Sequence, residues 1–472
     1  MQPREPTRSN NRDPAAPAGS AAPAAGLSAG PDAARARLVS DLRRHGHALS
    51  PSVLDAFATV PRHVFVPEIG PAAAYRDEAL VIKCGPDGLP ISSSSQPAMM
   101  AIMLDQLGLQ RGHRVLEIGT GSGYNAAVMS AVVGPDGEVV TIDIDPELVA
   151  RAKASLLAAG ADAVTVYCAD GGYGDPADAP FDRIIVTAGA WDIAPSWLDQ
   201  LVPGGRLVLP LSIRGIQLSV GLERISRGWL STSACRCGFV RMLGAFAGPE
   251  DVIRPDEPSA IVFQVSDGSP MDVGALVAAL AGQAVDEPVP VALASIAELA
   301  DLDLWLTMTA GRLDRLTVLA APGGTLSPAP PPPFGALVSS GTDRKRLGIG
   351  MLLPVGFDND GTEREPQPGF AHGRESAPAA EFGPAPEPEA APELSGGWTA
   401  AVIRGLGPGG HELAARLAAL SARWARLGRP GSREIEVLVW PAGEEPGRVS
   451  GDRLVLRRPS VTIAAGWPVS SR

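Results

Sequence analysis

Three glycines at alternate positions, Gly119, Gly121 and Gly123, directly follow an apolar run of Val115, Leu116 and Ile118. A helix-compatible segment from Asn125 to Val133 comes next. Strand, glycine turn and helix in that order bring backbone N–H groups close to a bound nucleotide. A dinucleotide fingerprint would set a small residue three positions after its second glycine; Tyr124 stands there, and the third glycine comes early. Glycines so spaced behind an acid-bearing strand suit S-adenosylmethionine better than NAD. The acid on that strand, Glu117, has two open readings: contact with the amine of such a cofactor, or ordering of the loop alone. Asp143 lies 20 residues past Gly123, within a second β-branched stretch at 138–145, where a carboxylate accepts hydrogen bonds from both ribose hydroxyls. A third strand, residues 164–168, runs out at Asp170-Gly171, which places Asp170 at the adenine edge with Gly171 beside the cofactor.

These residues need a scaffold, and the chain supplies its pattern. A fourth strand spans 181–189, a helix-like segment lies near Trp197–Leu201, and a Pro203-Gly204-Gly205 turn leads to a strand at 206–211. Strands alternating with helices predict a mostly parallel, doubly wound α/β sheet of Rossmann-like type, with its ligand off the carboxyl ends of the strands. Against the plain alternative, in which the glycines only make tight turns, stands their combination with Asp143 and Asp170. Upstream, a helix from about Ala33 sets Leu38, Leu42 and Leu49 on one side, and a second from Ser50-Pro51 carries Val53, Leu54 and Phe57. Residues 61–68 read as an extended connection, and 216–246 as two or three antiparallel strands.

The predicted organisation is a disordered tail at 1–32, a helical cap and substrate loop at 33–97, and the α/β domain at 98–250. An accessory α+β region at 251–354, a linker rich in Pro, Glu and Ala at 355–396 and a C-terminal α+β unit at 397–472 follow. The last unit carries a helix at 411–426 with Leu413, Leu417, Leu420 and Trp424 on one face, then strands at 435–440 and 453–458.

Of 472 residues, 45% are hydrophobic, enough for a sizeable core, while 54 Gly and 46 Pro are concentrated in the linkers. A net charge of -12 argues against a general nucleic-acid binder. Four cysteines make no disulfide framework, and neither Cys235-Arg236-Cys237 nor His45-Gly46-His47 has the companions of a metal site. The N-terminal segment lacks the apolar core of a signal peptide, and no run of about 18 apolar residues predicts a membrane span. A cytoplasmic protein is the expectation.

In chain order the segments PRHVFVPE (61–68), AYRDEALVI (74–82), Ser95-Gln96-Pro97, VLEIGTGSGYNAAV, Asp170-Gly171, APFDRIIVTAGA and QLVPGGRLVLPL resemble the protein-L-isoaspartate O-methyltransferases over about residues 35–245. The resemblance implies a methyltransferase α/β domain with an N-terminal helical cap. It also implies methyl transfer from S-adenosylmethionine to the abnormal α-carboxylate of isoaspartyl residues in a protein or peptide, followed by closure of the ester to a succinimide. It gives Ser95 the position of the family's active-site serine, a donor to the acceptor carboxylate. One stretch departs from the family: KCGPDGLPISSSSQP is several residues longer than the usual loop, and Ser93-Ser94 replace its Thr-Ile pair. Together with the chain beyond residue 245, this resembles a divergent branch that accompanies gene clusters for ribosomally made, lanthipeptide-type modified peptides. Members of that branch methylate a normal aspartate, whose ester collapses to an aspartimide. A dedicated peptide-tailoring enzyme is thus one alternative, and a cofactor-binding scaffold without transfer a second.

Overall fold

The computed structural model describes residues 30–47, 50–249, 251–253, 262–266, 270–311, 313–320, 336–339, 347–355, 400–444 and 453–468. The tail expected at 1–32 lies outside them except for its last three residues, and so does the linker expected at 355–396 except for Val355.

A cap comes first in the chain. It comprises α1 (Pro31–Arg44), α2 (Pro51–Thr59), a short α3 (Pro71–Ala74), the hairpin β1 (Leu80–Cys84) and β2 (Pro90–Ser94), and α4 (Pro97–Leu107). Each cap helix starts on a proline, which forgoes only an N–H that a first helical turn cannot use. The long loop of the sequence is this hairpin, with Leu80 paired to Ser94 and Val81 to Ser93. Four consecutive serines show no apolar alternation, so the strand that the first three of them end is hidden from pattern. Residues 62–65, expected to be extended, wind into a 3-10 turn that carries Arg62 into the interior.

The sheet follows: β3 (Arg114–Ile118), α5 (Tyr124–Val133), β4 (Glu138–Asp143), α6 (Pro146–Ala158), β5 (Thr165–Cys168), β6 (Phe181–Val186), α7 (Pro195–Asp199), β7 (Leu201–Ile213), β8 (Ile216–Arg224) and β9 (Trp229–Cys237). The strands β5, β4, β3, β6 and β7 lie side by side and parallel. From β7 onward every pairing is antiparallel, so the sheet is mixed rather than mostly parallel. Alternation along the strands sends side chains to two cores. Val115, Val139 and Ile185 meet the cap helices, α5 and α6, whereas Leu116, Val140 and Ile184 meet α7 on the other face. The stretch expected as a further strand at 239–246 forms only a single bridge, from Arg241 to Gly189.

The second half holds β10 (Asp251–Ile253), β11 (Val262–Val265), α8 (Val273–Leu280), β12 (Val285–Pro288), α9 (Ile296–Thr309), β13 (Asp314–Ala320), β14 (Ala336–Ser339), β15 (Gly348–Val355), β16 (Ala400–Leu406), α10 (Gly410–Arg426), β17 (Glu436–Pro441), β18 (Leu454–Arg457) and β19 (Val461–Gly466). Seven of these strands form a separate antiparallel sheet in the order β10-β11-β13-β14-β15-β16-β12. The last three join the first sheet, whose full order is β18-β19-β17-β9-β8-β7-β6-β3-β4-β5. The segment read as one C-terminal unit is therefore shared between two sheets. Helix α9 links them: Leu304 and Met308 pack into the first core, Leu299, Leu302, Trp305 and Leu306 into that under α10. Among the described residues no helix is long and apolar enough to cross a membrane.

Candidate functional site

The chain order reverses beside β3, with β4 and β5 to one side and β6 to the other, and an open α/β sheet binds ligands at such a point. The turn from β3 into α5 is the floor. All three of its glycines take left-handed backbone, with φ of +103° at Gly119, +52° at Gly121 and +86° at Gly123. At Gly119 space also demands glycine, because a Cβ would lie 2.4 Å from Thr187 Oγ1. That hydroxyl, just past β6, donates to the Gly119 carbonyl at 2.7 Å. Gly123 precedes α5 and packs against Ala152 of α6, outside the cavity lining.

Two acids organise the floor differently. Asp143, at the end of β4, accepts the Gly121 N–H at 2.9 Å and the Asp145 N–H at 3.0 Å, one on each oxygen. It lines the cavity, and burial raises its pKa while these donors oppose the rise. A carboxylate has about four acceptor sites, so two remain for a ligand. Glu117 is wholly buried and turned away from the cavity: Oε1 accepts Asn125 Nδ2 at 2.7 Å and Oε2 accepts Thr141 Oγ1 at 2.6 Å. Burial pushes its pKa up to about 7. It reaches the cavity through Asn125, which lines it and whose Oδ1 is buried without a hydrogen-bond partner among the described residues, and through Thr141, whose hydroxyl meets that of the lining Thr120 at 2.8 Å.

Asp170 is partly exposed and does not line the cavity. Its oxygens accept the N–H groups of Gly172 at 2.9 Å and Ala245 at 2.7 Å, while Gly171 faces the cavity.

The roof is β2 and the residue after it. Ser92, Ser93, Ser94 and Ser95 all line the cavity. A Cβ on Gly121 would lie 3.4 Å from the Ser93 carbonyl, so roof and floor nearly meet there. Ser92 and Ser94 are buried, Ser93 and Ser95 partly exposed, as alternation in a strand requires. Arg62 holds this roof from behind. Its buried guanidinium donates to the carbonyls of Ala74 (2.8 Å), Arg76 (3.0 Å), Glu78 (3.1 Å), Ser94 (3.3 Å) and Ser95 (2.9 Å). Burial lowers its pKa to about 10, so it stays charged at neutral pH. Lys83 ties β1 to the start of α6 through Asp145 and Glu147, each at 2.7 Å.

Val240, Arg241, Met242 and Leu243 close the wall. The cavity, open to solvent on one side, is about 240 Å³. Of the residues expected in the site, Ser95, Gly119, Gly121, Asp143 and Gly171 come together on it, and Glu117, Gly123 and Asp170 stand behind it. Sequence reasoning missed Asn125, Thr187, Arg62 and Arg241. The first two lie inside segments it did read, and Arg62 inside PRHVFVPE, whereas nothing local marks Arg241.

The cavity suits an S-adenosylmethionine-sized group in chemistry: a carboxylate for ribose hydroxyls, glycine backbone for close approach, and an unused Asn125 acceptor for an amine. A family model described as Protein-L-isoaspartate(D-aspartate) O-methyltransferase matches residues 33–244. A protein-L-isoaspartate O-methyltransferase of Methanopyrus kandleri is 42% identical over 46% of this chain and 95% of its own length. One from Xanthobacter autotrophicus is 41% identical over the same two shares. A solved protein-L-isoaspartate O-methyltransferase aligns with 85% of this chain and 95% of its own, at 21% identity and a TM-score of 0.43.

Proposed function

The chain belongs to the protein-L-isoaspartate O-methyltransferase family, and from that membership we propose that it methylates the free α-carboxylate of isoaspartyl residues in a protein or peptide, using S-adenosylmethionine. One observation carries the proposal: every residue lining the cavity, from Ile91 to Leu243, falls inside the stretch that matches the family.

When bound, S-adenosylmethionine supplies a methyl group on a positively charged sulfur; the carbon–sulfur bond breaks as a carboxylate oxygen bonds to carbon, and the electron pair stays on sulfur. The residues around it have little acid–base work, since a carboxylate with a pKa near 4 is already ionised at neutral pH. Their task is alignment, which can supply several kcal/mol of the barrier. Asp143 holds the ribose, Asn125 Oδ1 takes the amine, and the Gly119–Gly121 backbone admits the methionine end. Glu117 orients Asn125 by accepting from its Nδ2. Ser95 donates to the acceptor carboxylate and turns one oxygen toward the methyl group. Arg62, through the Ser95 carbonyl, holds that serine in place. Closure of the ester to a succinimide follows within the peptide, whose next backbone nitrogen is tethered nearby.

The test is a mass measurement on a short isoaspartyl peptide beside its normal-aspartate twin, with S-adenosylmethionine and the purified protein. The expected result is one added methyl on the isoaspartyl peptide alone. Methylation of the normal twin alone would overturn the proposal. For Ser95, replacement by Ala should leave cofactor affinity within about twofold and slow transfer roughly tenfold or more, the worth of a hydrogen bond to a charged group. An unchanged kcat in Ser95→Ala would remove that role.

A further inference from the structure

The serine roof stands on one strand of a hairpin that is held differently along its length. At its base, Leu80 and Ile82 pack in a small cluster with Val66, Ile69 and Ala74, apart from both main cores. Arg62 grips the carbonyls of Ser94 and Ser95 there. Farther out the ladder is irregular. Its register shifts on both sides of Lys83, which faces Ser92. Irregularities of this kind bend a strand and interrupt its pairing. Nor does β1 rest directly on the helix beside it. A second cavity of about 180 Å³ lies between them, lined by Ile82 of β1 and by Leu148 and Arg151 of α6.

Lys83 crosses to that helix. Its ammonium lies 2.7 Å from Asp145 Oδ2 and 2.7 Å from Glu147 Oε2. Asp145 caps α6: its other oxygen accepts the N–H groups of Glu147 at 2.9 Å and Leu148 at 3.2 Å. Its own N–H donates to Asp143, which also accepts the Gly121 N–H. Above Gly121 stands the Ser93 carbonyl. The contacts therefore close into a ring of Asp143, Asp145, Lys83, the Ser92–Ser93 strand and Gly121. Asp143, Asp145, Ser92, Ser93 and Gly121 line the cavity, and Lys83 completes the ring from outside it.

We propose that Lys83 is a positioning residue that couples cofactor binding to the seating of Ser95. The proposal rests on the function given above. A ligand on Asp143 holds the Asp143–Asp145 corner, and through Lys83 that corner holds the roof. By reciprocity, a roof so held strengthens cofactor binding. The ion pairs are partly exposed, so salt weakens the link.

The experiment compares wild type, Lys83→Met and Lys83→Arg. Methionine keeps the apolar stem without the charge, and arginine restores the charge. Stopped-flow measurement gives the release rate of S-adenosylhomocysteine at low and high salt. Hydrogen exchange gives the protection of the amides at 91–95 with and without that ligand. In wild type the ligand should slow exchange at 91–95, and release should quicken with salt. In Lys83→Met, release should be about fivefold faster, the scale of an exposed ion pair. Most of its salt dependence and of the ligand's protection of 91–95 should be lost, with the thermal midpoint unchanged. Lys83→Arg should recover most of both. With an isoaspartyl peptide, Lys83→Met should lower kcat as well as raise the cofactor KM. Unchanged release and protection in Lys83→Met would overturn the proposal. Faster release with protection of 91–95 intact would also overturn it, by confining Lys83 to the ribose corner. Coupling that depends on Lys83, without methyl transfer by wild type, would sink the function and leave the coupling standing.

Discussion

Glu117 shows how a residue's place in a motif can be legible while the direction of its side chain is not. Its position on β3 is apparent from the motif, but the direction of its carboxylate depends on Thr141 and Asn125, 24 and 8 residues away. Its folded pKa of about 7 lies above the ordinary 4.5, so the fold keeps a proton that the unfolded chain has lost. That contribution to stability is complete below the unfolded pKa and is lost as pH rises through the folded one. At full size it amounts to roughly 3 kcal/mol. Wild type should therefore lose thermal stability between about pH 5 and about pH 8. Glu117→Gln, which keeps both hydrogen-bond partners without a charge, should lose clearly less. An identical pH slope in the two proteins would mean that Glu117 is ionised in the fold.

At the scale of elements, the glycine turn belongs to β6 as much as to β3. Thr187 fills the space over Gly119, so the turn combines a left-handed backbone with a close approach. A strained residue of this sort costs about 1–3 kcal/mol, before any clash. Gly119→Ala should lower thermal stability by at least that amount and weaken S-adenosylhomocysteine binding tenfold or more. Adding Thr187→Ala should recover part of the stability by removing the hydroxyl, but not the part due to φ. Calorimetric titration and thermal unfolding measure both effects, and wild-type affinity in Gly119→Ala would take the turn out of the cofactor site. The serine hairpin is held in a comparable way. Its roof position comes from Arg62, whose five carbonyl contacts join the cap, the loop at 74–78 and Ser94–Ser95.

For the molecule as a whole, α9 and the C-terminal strands bind the two sheets together. Asp303 of α9 is buried and accepts from Arg315 of β13 at 2.8 and 2.9 Å and from Arg236 of β9 at 3.2 Å. One carboxylate thus joins an arginine from each sheet. Removing one partner of a buried ion pair commonly costs about 3–5 kcal/mol. Asp303→Ala should lower stability by about that much in scanning calorimetry, and a shift near zero would mean that the cluster does not link the sheets in solution. The C-terminal strands also support the active-site side of the molecule. Arg458, after β18, lies 3.9 Å above the Trp191 ring, and Ser460 N–H donates to Asp192 at 2.9 Å. Both partners follow Thr187 and Ala188 of the cavity by a few residues.

The nucleotide half of the fold was legible in the sequence because its signals are local. Apolar strands, glycines at three alternate positions and an acid at a strand end each reflect the backbone within a few residues, so Gly119, Gly121 and Asp143 could be named in advance. The cap helices were legible for the same reason: Leu38, Leu42, Val53, Leu54 and Phe57 repeat at helical spacing and are buried. Tertiary structure alone decided the rest. The inward turn of Glu117, the turn of Asp170 toward Ala245, the strand made from a run of serines, the delivery of Arg62 and Arg241, and the passage of the last three strands into the first sheet all depend on partners remote in the chain. Hydrogen bonds and charges are satisfied by whichever groups the packed fold brings within about 3 Å, and periodicity carries no record of those neighbours.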